Sequence, residues 1–137
     1  MKAAILGVNG YLGQHLYLEL AKSGFDIKGY DLSRTSSLAD VTYQSIDITS
    51  TDDCNKIDTN VDLIFFFSGK TGTLDSYENY QDYIEINEIG LVNVLSKIKM
   101  IEYLSQTNFL KKYIYISTPE IFGSSKNYIN ENCCVFS

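Results

Sequence analysis

The run Gly7-Val8-Asn9-Gly10-Tyr11-Leu12-Gly13 follows an apolar stretch, residues 3–6, and leads into a segment of helical period. Leucines recur every four residues from Leu12 to Leu20, and Gly24 then suits the left-handed turn that ends many helices. Glycines at a strand-to-helix turn let the backbone approach a phosphate closely and direct the first N–H groups of the helix at its charge. The run therefore predicts a pyrophosphate-binding turn in an α/β fold.

Short apolar runs alternate with helical segments along the whole chain, as is typical of a parallel sheet with helices on both faces. With residues 3–6, five strands are predicted, the others lying at residues 27–30, 41–46, 61–67 and 113–116. Because parallel crossovers are right-handed, this order predicts a Rossmann-like, doubly wound parallel sheet in a three-layer α/β/α domain.

One helix is predicted after the third strand, and a polar loop and a long helix are predicted after the fourth. Ser50 can cap a short helix whose first turn carries two aspartates, the charge sign that a helix N-terminus favours. A polar loop over residues 68–79 then leads to a long helix over residues 80–106. The apolar stripe predicted for the long helix consists of Ile84, Leu91, Leu95, Ile98, Ile101 and Leu104.

Composition sets limits on the function. The chain has 137 residues, 45% of them hydrophobic, and a net charge of −6, which fits one globular domain and argues against nucleic acid as a partner. The longest apolar run, residues 63–67, is far shorter than a membrane span, which needs about 20 residues, and no cleavable signal precedes the glycine turn. Three cysteines without CxxC spacing indicate neither a disulfide framework nor a metal site. We therefore expect a cytoplasmic protein without a membrane or metal partner.

Asp31 closes the second strand, about twenty residues beyond the glycines. A carboxylate at this place can accept hydrogen bonds from the two hydroxyls of an adenosine ribose and would repel a 2′-phosphate. NAD is therefore the predicted cofactor. Arg34, the only arginine of the chain, stands where a basic residue could hold the 2′-phosphate of NADP, so NADP remains the disfavoured alternative.

Three later segments complete a family pattern: Asp47-Ile48, Phe67-Ser68-Gly69, and Asn87 with Gly90 three residues on. With the glycine run, they resemble the extended short-chain dehydrogenase/reductases, the NAD-dependent sugar epimerase/dehydratase group. The sequence departs from that pattern at Phe66, where family members carry histidine, and at Ser68-Gly69, where they carry two alanines. Serine and glycine are small, as alanine is, so the change at Ser68-Gly69 keeps small residues beside the cofactor.

The resemblance implies a role for each of these residues. The pyrophosphate would be bound by Gly7, Gly10 and Gly13, and Asn9, Tyr11 and Leu12 between them would also contact the cofactor. The adenosine half would be bound by Asp31 at the ribose and by Asp47 and Ile48 at the adenine. The phosphates and the ribose would lie beside Phe67, Ser68 and Gly69, and Asn87 would order the strands near the nicotinamide half. Without the family, the default for Asn87 is a structural hydrogen bond.

Ser117-Thr118-Pro119-Glu120 follows the fifth strand and is similar to the Ser-(Ser/Thr)-x-Glu that begins a family motif. The resemblance gives Ser117 a cofactor contact, Thr118 a hydrogen bond to the substrate oxygen that is oxidised, and Glu120 an acid/base role. Dehydratases use an aspartate where this chain has Pro119, which has no proton to give, so dehydration is disfavoured. The alternative that Ser117 and Thr118 only cap a turn stays open.

The family's Tyr-x-x-x-Lys pair, which removes the hydroxyl proton, would fall a few residues after Ser137. Tyr128 is followed four residues later by Asn132 and Tyr113 by Ser117, and no lysine stands there for Tyr11, Tyr17, Tyr77, Tyr80 or Tyr83. We therefore expect a single NAD(P)-binding Rossmann domain over residues 1–137, truncated after the fifth strand, without the C-terminal substrate lobe and without turnover.

These observations lead to two functional hypotheses. By resemblance, the chain is the NAD-binding portion of a nucleotide-sugar epimerase/dehydratase-type oxidoreductase, which oxidises a sugar hydroxyl and would take a nucleotide sugar once the missing lobe is supplied. Epimerase, reductase and decarboxylase activities stay open, as does the sugar. The alternative is a non-catalytic dinucleotide-binding module or sensor. Family members dimerise through the long helix and the helix that carries Tyr-x-x-x-Lys, so a homodimer is possible but disfavoured here.

Overall fold

A computed structural model describes residues 1–105 and 112–115 of the chain. The strands are β1 (Lys2–Leu6), β2 (Asp26–Asp31), β3 (Thr42–Ser45), β4 (Leu63–Phe66) and β5 (Lys112–Tyr115). The helices are α1 (Tyr11–Lys22), α2 (Thr51–Cys54), α3 (Thr73–Glu78), α4 (Tyr80–Ile84) and α5 (Gly90–Ser105), with a π-helical turn (Glu85–Ile89) between the last two. All strand pairings are parallel, in the order β3-β2-β1-β4-β5. The predicted Rossmann-like, doubly wound sheet is confirmed.

The central strand β1 is buried on both faces, which explains its uninterrupted apolar run. Ala3 and Ile5 point to the side covered by α1, where Leu16 and Leu20 pack against them. Ala4 and Leu6 point to the opposite side, which α5 covers with Val94 and Ile98 among others. Each large aliphatic side chain buried in this way contributes roughly 1.5–3 kcal/mol to stability.

The strand order reverses at β1, and this reversal positions the site. Leu6 at the end of β1 pairs with Tyr30 of β2 on one side and with Phe66 of β4 on the other. The chain that leaves β1 goes to α1 and β2, whereas β4 and β5 lie on the other side of β1. In open parallel sheets, ligands bind in the crevice that such a switch point leaves at the carboxyl ends of the strands.

The segment predicted as a polar loop, residues 68–79, contains the short helix α3, so that part of the prediction is wrong. Gly72 precedes α3 with a positive φ of 130°, and its carbonyl accepts the N–H of Ser76 at 3.0 Å. The helix gave no periodic signal because its large apolar side chains, Leu74 and Tyr77, are 84% and 78% exposed. A short, exposed helix has no buried face, so its sequence needs no apolar residues at helical spacing.

The long helix predicted over residues 80–106 is interrupted by the π-helical turn, and Gln106 lies outside the described residues. A π turn holds one residue more than an α turn and therefore rotates the following face. Within α5, Val94 is fully buried and Leu95 of the predicted stripe is 41% exposed, because Val94 lies on the same core-facing side as Leu91 and Ile98. Ile84, which precedes the π turn, is 53% exposed. Leu91 and Ile98 keep their predicted place in the core. The side chains of Ile101 and Leu104 are not among those described.

Composition led to expectations about membrane spans, metal sites and cysteines, and these concern features that are visible in residues 1–105 and 112–115. No helix there is long and apolar enough to cross a membrane. No group of three or more His, Cys, Asp or Glu side chains there could hold a metal ion. Cys54 is a buried free thiol, and Cys133 and Cys134 lie outside the described residues.

Candidate functional site

The glycine turn begins at Gly7, where the backbone takes a positive φ of 86°. The N–H groups of Gly7 and Val8 donate to the Tyr30 carbonyl at 2.8 and 3.2 Å, which joins the turn to β2. A Cβ at Gly7 would lie 2.7 Å from the carbonyl carbon of Phe67 and 2.8 Å from the nitrogen of Ser68. No side chain fits there, so the turn lies directly on the backbone that leaves β4.

Gly13 is buried, and its lack of a side chain lets the first turn of α1 pack directly on the glycine turn. A Cβ at Gly13 would lie 2.1 Å from the Gly7 carbonyl oxygen and 2.7 Å from the Val8 Cα. Gly10, the N-cap of α1, contributes no side-chain hydrogen bond to the helix N-terminus. Free N–H groups at a helix N-terminus favour an anion, and the glycines leave the backbone bare beside them.

Asp31 lies at the carboxyl end of β2, next to the glycine turn. Its Oδ2 accepts the backbone N–H of Asn9 at 3.0 Å, and its Oδ1 accepts that of Ser33 at 3.4 Å. Burial, and then the nearby Asp31 charge, raises the pKa of Tyr43, whose hydroxyl donates to the Asp31 and Ser33 carbonyls. The carboxylate is thus held at the cleft by main-chain donors.

Asp47 follows β3 and organises the turn into α2. Its Oδ1 accepts the N–H and the hydroxyl of Thr49 at 2.9 and 2.7 Å. Its own N–H donates to Asp53 at 2.9 Å, and Ser50 accepts the Asp53 N–H at 3.2 Å, which confirms the predicted N-cap. Hydrogen bonds from Lys56 and then from Asp47 lower the pKa of Asp53.

Asn87 clamps the peptide of Lys70. Its Oδ1 accepts the Lys70 N–H at 2.7 Å and its Nδ2 donates to the Lys70 carbonyl at 2.9 Å. The Lys70 ammonium lies 3.2 Å from Asp82 and 3.3 Å from Asp75, and the hydrogen bond to Asp82 contributes most to its raised pKa. The structural hydrogen bond expected for Asn87 without the family is present.

We expect Asn87→Ala to lower the free energy of unfolding by about 2 kcal/mol, because it leaves both polar groups of the half-buried Lys70 peptide without a partner. Asn79→Ala is the matched control, since the Asn79 side-chain amide donates to the exposed Asp75 carboxylate. Urea titrations of both variants measure the difference, and an equal loss in the two would contradict the clamp.

Gly90 begins α5 at a point where the helix lies against Ile48. A Cβ at Gly90 would lie 2.7 Å from both Cδ1 and Cγ1 of Ile48. The side-chain amide of Asn93 donates to the carbonyls of Ile48 and Thr49 at 3.0 and 3.1 Å. The helix therefore packs closely at Gly90, and this packing fixes the segment that carries Asp47.

These elements enclose a cleft of about 500 Å³ at the carboxyl ends of the strands. Nine of the predicted site residues line it: Gly7, Asn9, Gly10, Asp31, Asp47, Ile48, Phe67, Ser68 and Gly69. The glycine turn lies in the middle of the cleft, because β1 lies between β2 and β4. Asp31 and Asp47 lie on the side of β2 and β3, and Lys70 lies on the side of β4. The cleft thus offers carboxylate acceptors at one end and bare backbone beside them.

Four predicted residues of the described part do not line the cleft. Tyr11 and Leu12 are 76% and 50% exposed on α1, Gly13 is buried below the turn, and Asn87 acts on the Lys70 peptide. The first turn of a helix radiates side chains outward, so only its backbone can face a ligand at the N-terminus. Ser117, Thr118 and Glu120 lie outside the described residues.

Five lining residues were missed: Leu32, Ser33, Ile46, Lys70 and Ile86. The first four lie within two positions of predicted site residues at the ends of β2, β3 and β4, so the strand-end rule could have found them. Ile86 lies in the π-helical turn, and its direction depends on a helical register that the sequence pattern did not indicate.

Comparison with known proteins gives a consistent result. The model of the NAD dependent epimerase/dehydratase family matches residues 3–134. A UDP-glucose 4-epimerase from Bifidobacterium longum, solved in complex with NAD+ and UDP, is 19% identical over 99% of this chain and 43% of that chain, with a TM-score of 0.82. One from Stenotrophomonas maltophila, with bound NAD and formylated UDP-arabinopyranose, is 15% identical over 99% and 43%, with a TM-score of 0.81.

A third solved structure carries a different activity. The GalE-like L-threonine dehydrogenase from Cupriavidus necator, in its holo form, is 19% identical over 74% of this chain and 34% of that chain, with a TM-score of 0.67. At these identities the structural likeness establishes the fold. The chain spans 43% of the length of each of the two epimerases.

Proposed function

The chain belongs to the NAD dependent epimerase/dehydratase family, and we propose that residues 1–137 form a single dinucleotide-binding domain with NAD as its cofactor. The observation that carries this proposal is the glycine turn beside Asp31. At Gly7 and Gly13 a Cβ would meet backbone atoms at 2.7 and 2.1 Å, so the turn packs closely, and Gly7 and Gly10 present bare backbone to the cleft. This is the cradle that a pyrophosphate needs.

The residues of the cleft fit the two halves of NAD. Gly7, Asn9 and Gly10 would meet the pyrophosphate together with the first N–H groups of α1. Asp31 would accept the hydroxyls of the adenosine ribose, with Asp47 and Ile48 at the adenine. Phe67, Ser68 and Gly69 would lie beside the phosphates and the second ribose. For Tyr11 and Leu12 the proposal is limited to backbone contact, because their side chains are exposed.

The choice of NAD over NADP rests on Asp31. A 2′-phosphate at the adenosine ribose would bring negative charge against this carboxylate, which already accepts N–H groups from Asn9 and Ser33. Arg34, the residue that left NADP open, is exposed and is not among the residues that line the cleft. We therefore propose that NADP binds more weakly than NAD.

Bound NAD would supply a hydride acceptor for a substrate hydroxyl. By family membership we propose a nucleotide sugar as the substrate, with Thr118 bonding the reacting oxygen, Glu120 acting as acid/base and Ser117 contacting the cofactor. The UDP ligands of the two epimerase structures support this substrate class, and the L-threonine dehydrogenase keeps a different substrate open. Dehydration stays disfavoured because of Pro119.

We further propose that this chain by itself binds the cofactor without turnover. None of its eleven tyrosines has a lysine four positions later, so the family's proton acceptor is not supplied by these residues. A non-catalytic module or sensor is the second candidate. A cytoplasmic location completes the proposal, supported by three cysteines without a disulfide or metal spacing.

Calorimetry of the purified chain tests the proposal. We expect NAD and NADH to bind at one site per chain, and NADPH to bind at least about tenfold more weakly because of the charge of Asp31. Assays with NAD and UDP-glucose or UDP-galactose should give no turnover. Failure to bind any of the three dinucleotides would overturn the binding proposal, whereas turnover by this chain would overturn only the proposal that it lacks a base.

A further inference from the structure

Asn9 joins the glycine turn to the loop that follows β2. Its Nδ2 donates to the Thr35 carbonyl at 3.2 Å and to the Tyr43 hydroxyl at 3.4 Å. Its Oδ1 accepts the Ser36 hydroxyl at 2.9 Å and the Ser37 N–H at 3.2 Å. The two amide hydrogens and the two lone pairs of the side chain are thus all used.

The main chain of Asn9 takes part in the same network. Its N–H donates to Asp31 Oδ2 at 3.0 Å, and its carbonyl accepts Gln14 Nε2 at 2.6 Å. One residue therefore fixes the ribose-binding carboxylate through its backbone and residues 35–37 through its side chain. The glycine pattern that predicts the pyrophosphate site predicts neither the backbone contact with Asp31 nor the side-chain contacts with residues 35–37.

This link determines the direction of Arg34. Thr35 is held by Asn9, and the Ser33 carbonyl is held by the Tyr43 hydroxyl, so the backbone is bound on both sides of Arg34. In the resulting conformation Leu32 and Ser33 line the cleft and Arg34 is exposed outside the lining. The guanidinium is thereby kept from the place where it could bind a 2′-phosphate as a charged, bidentate donor.

We infer that Asn9 is a positioning residue that sets the preference between NAD and NADP by holding residues 33–37 so that Asp31 and Ser33, and not Arg34, face the ribose. The inference rests on the proposed dinucleotide function and deepens it. The residue acts through the loop, so its removal should change the ratio of two affinities and not merely the stability of the fold.

Calorimetry with NADH and NADPH on the full chain tests this role. We expect Asn9→Ala to weaken NADH binding about fivefold and to lower the ratio of NADH affinity to NADPH affinity by about tenfold. A change of this size corresponds to the free energy of one or two hydrogen bonds. In the Asn9→Ala background, Arg34→Ala should restore most of the lost discrimination. Arg34→Ala alone should leave NADPH binding as it is in the unchanged chain, because Arg34 does not face the cleft there.

Gln14→Ala is the matched control. It removes the hydrogen bond to the Asn9 carbonyl but leaves the side-chain link to residues 35–37, so the affinity ratio should stay within about twofold of the original. Circular dichroism and the Tm of each variant report whether the fold is retained. If Asn9→Ala unfolds the chain, Ser36→Ala removes the shortest of the loop contacts and should still narrow the ratio.

The possible outcomes separate this inference from the proposed function. If the unchanged chain binds NADH, and Asn9→Ala weakens NADH and NADPH by the same factor, the inference is overturned and the binding function stands. The inference is also overturned if Asn9→Ala lowers the ratio of NADH affinity to NADPH affinity and adding Arg34→Ala does not restore that ratio. If the unchanged chain binds neither dinucleotide, the proposed function itself has failed, and with it the inference.

Discussion

We expect Gly13→Ala to abolish NAD binding and to lower the free energy of unfolding by about 3 kcal/mol or more. The added Cβ would lie 2.1 Å from the Gly7 carbonyl oxygen and 2.7 Å from the Val8 Cα, and both are backbone atoms that no rotamer change can move. Relief requires α1 to move away from the turn, and overpacking of this kind costs roughly 1–3 kcal/mol even where neighbours adjust. The same movement separates the helix N-terminus from the cleft.

Two other glycines calibrate this result. Gly7→Ala combines a positive φ of 86° with a Cβ 2.7 Å from the Phe67 backbone, whereas Gly24→Ala has a positive φ of 76° and no atom within 4 Å. Gly24→Ala should therefore cost only the conformational term of about 1 kcal/mol and leave NAD binding unchanged. Urea unfolding and calorimetry on the three variants measure both effects. A Gly13→Ala variant as stable as Gly24→Ala would contradict the close packing described here.

The glycine turn and Asp31 could be predicted from the sequence because each has few chemical substitutes. Only glycine fits where Gly7 and Gly13 meet backbone, and the carboxylate at the end of β2 accepts the Asn9 N–H of the same turn. The sheet could be predicted for a similar reason, since a strand buried on both faces, such as β1, must be apolar throughout. In these places the local sequence and the tertiary environment impose the same residue types.

The remaining features depend on contacts between distant segments. Asn87 clamps the Lys70 peptide seventeen positions away, and the π-helical turn that carries Asn87 has no periodic signature of its own. The burial of Val94 and not Leu95 likewise depends on how α5 packs on the sheet, because both residues lie one turn from Leu91 and Ile98. The loop contacts of Asn9 are of the same kind, because residues 35–37 reach it only after β2 is paired with β1.

We expect Asp31→Ala to weaken NAD binding by about a hundredfold or more. By the proposed function the carboxylate accepts two ribose hydroxyls, and each hydrogen bond to a charged acceptor contributes roughly 1.5–3 kcal/mol. Asp31→Ala also leaves the N–H of Asn9 without its acceptor. Asp31→Asn reduces the second effect, because its amide oxygen can still accept the Asn9 N–H, although its amide nitrogen cannot accept that of Ser33. It should keep most of the stability of the unchanged chain while losing about tenfold in NAD affinity.

Asp26→Asn is the control for charge alone, since Asp26 is exposed at the opposite end of the same strand β2. It changes the net charge by the same amount as Asp31→Asn but lies far from the carboxyl ends of the strands, so NAD affinity should be unchanged. Removing the Asp31 charge should also strengthen NADPH binding relative to NADH, because the carboxylate no longer repels a 2′-phosphate. If Asp31→Ala and Asp26→Asn bind NAD equally well, the ribose is not held at the end of β2. The cleft would then have to bind its ligand through the glycine turn and the β4 side alone.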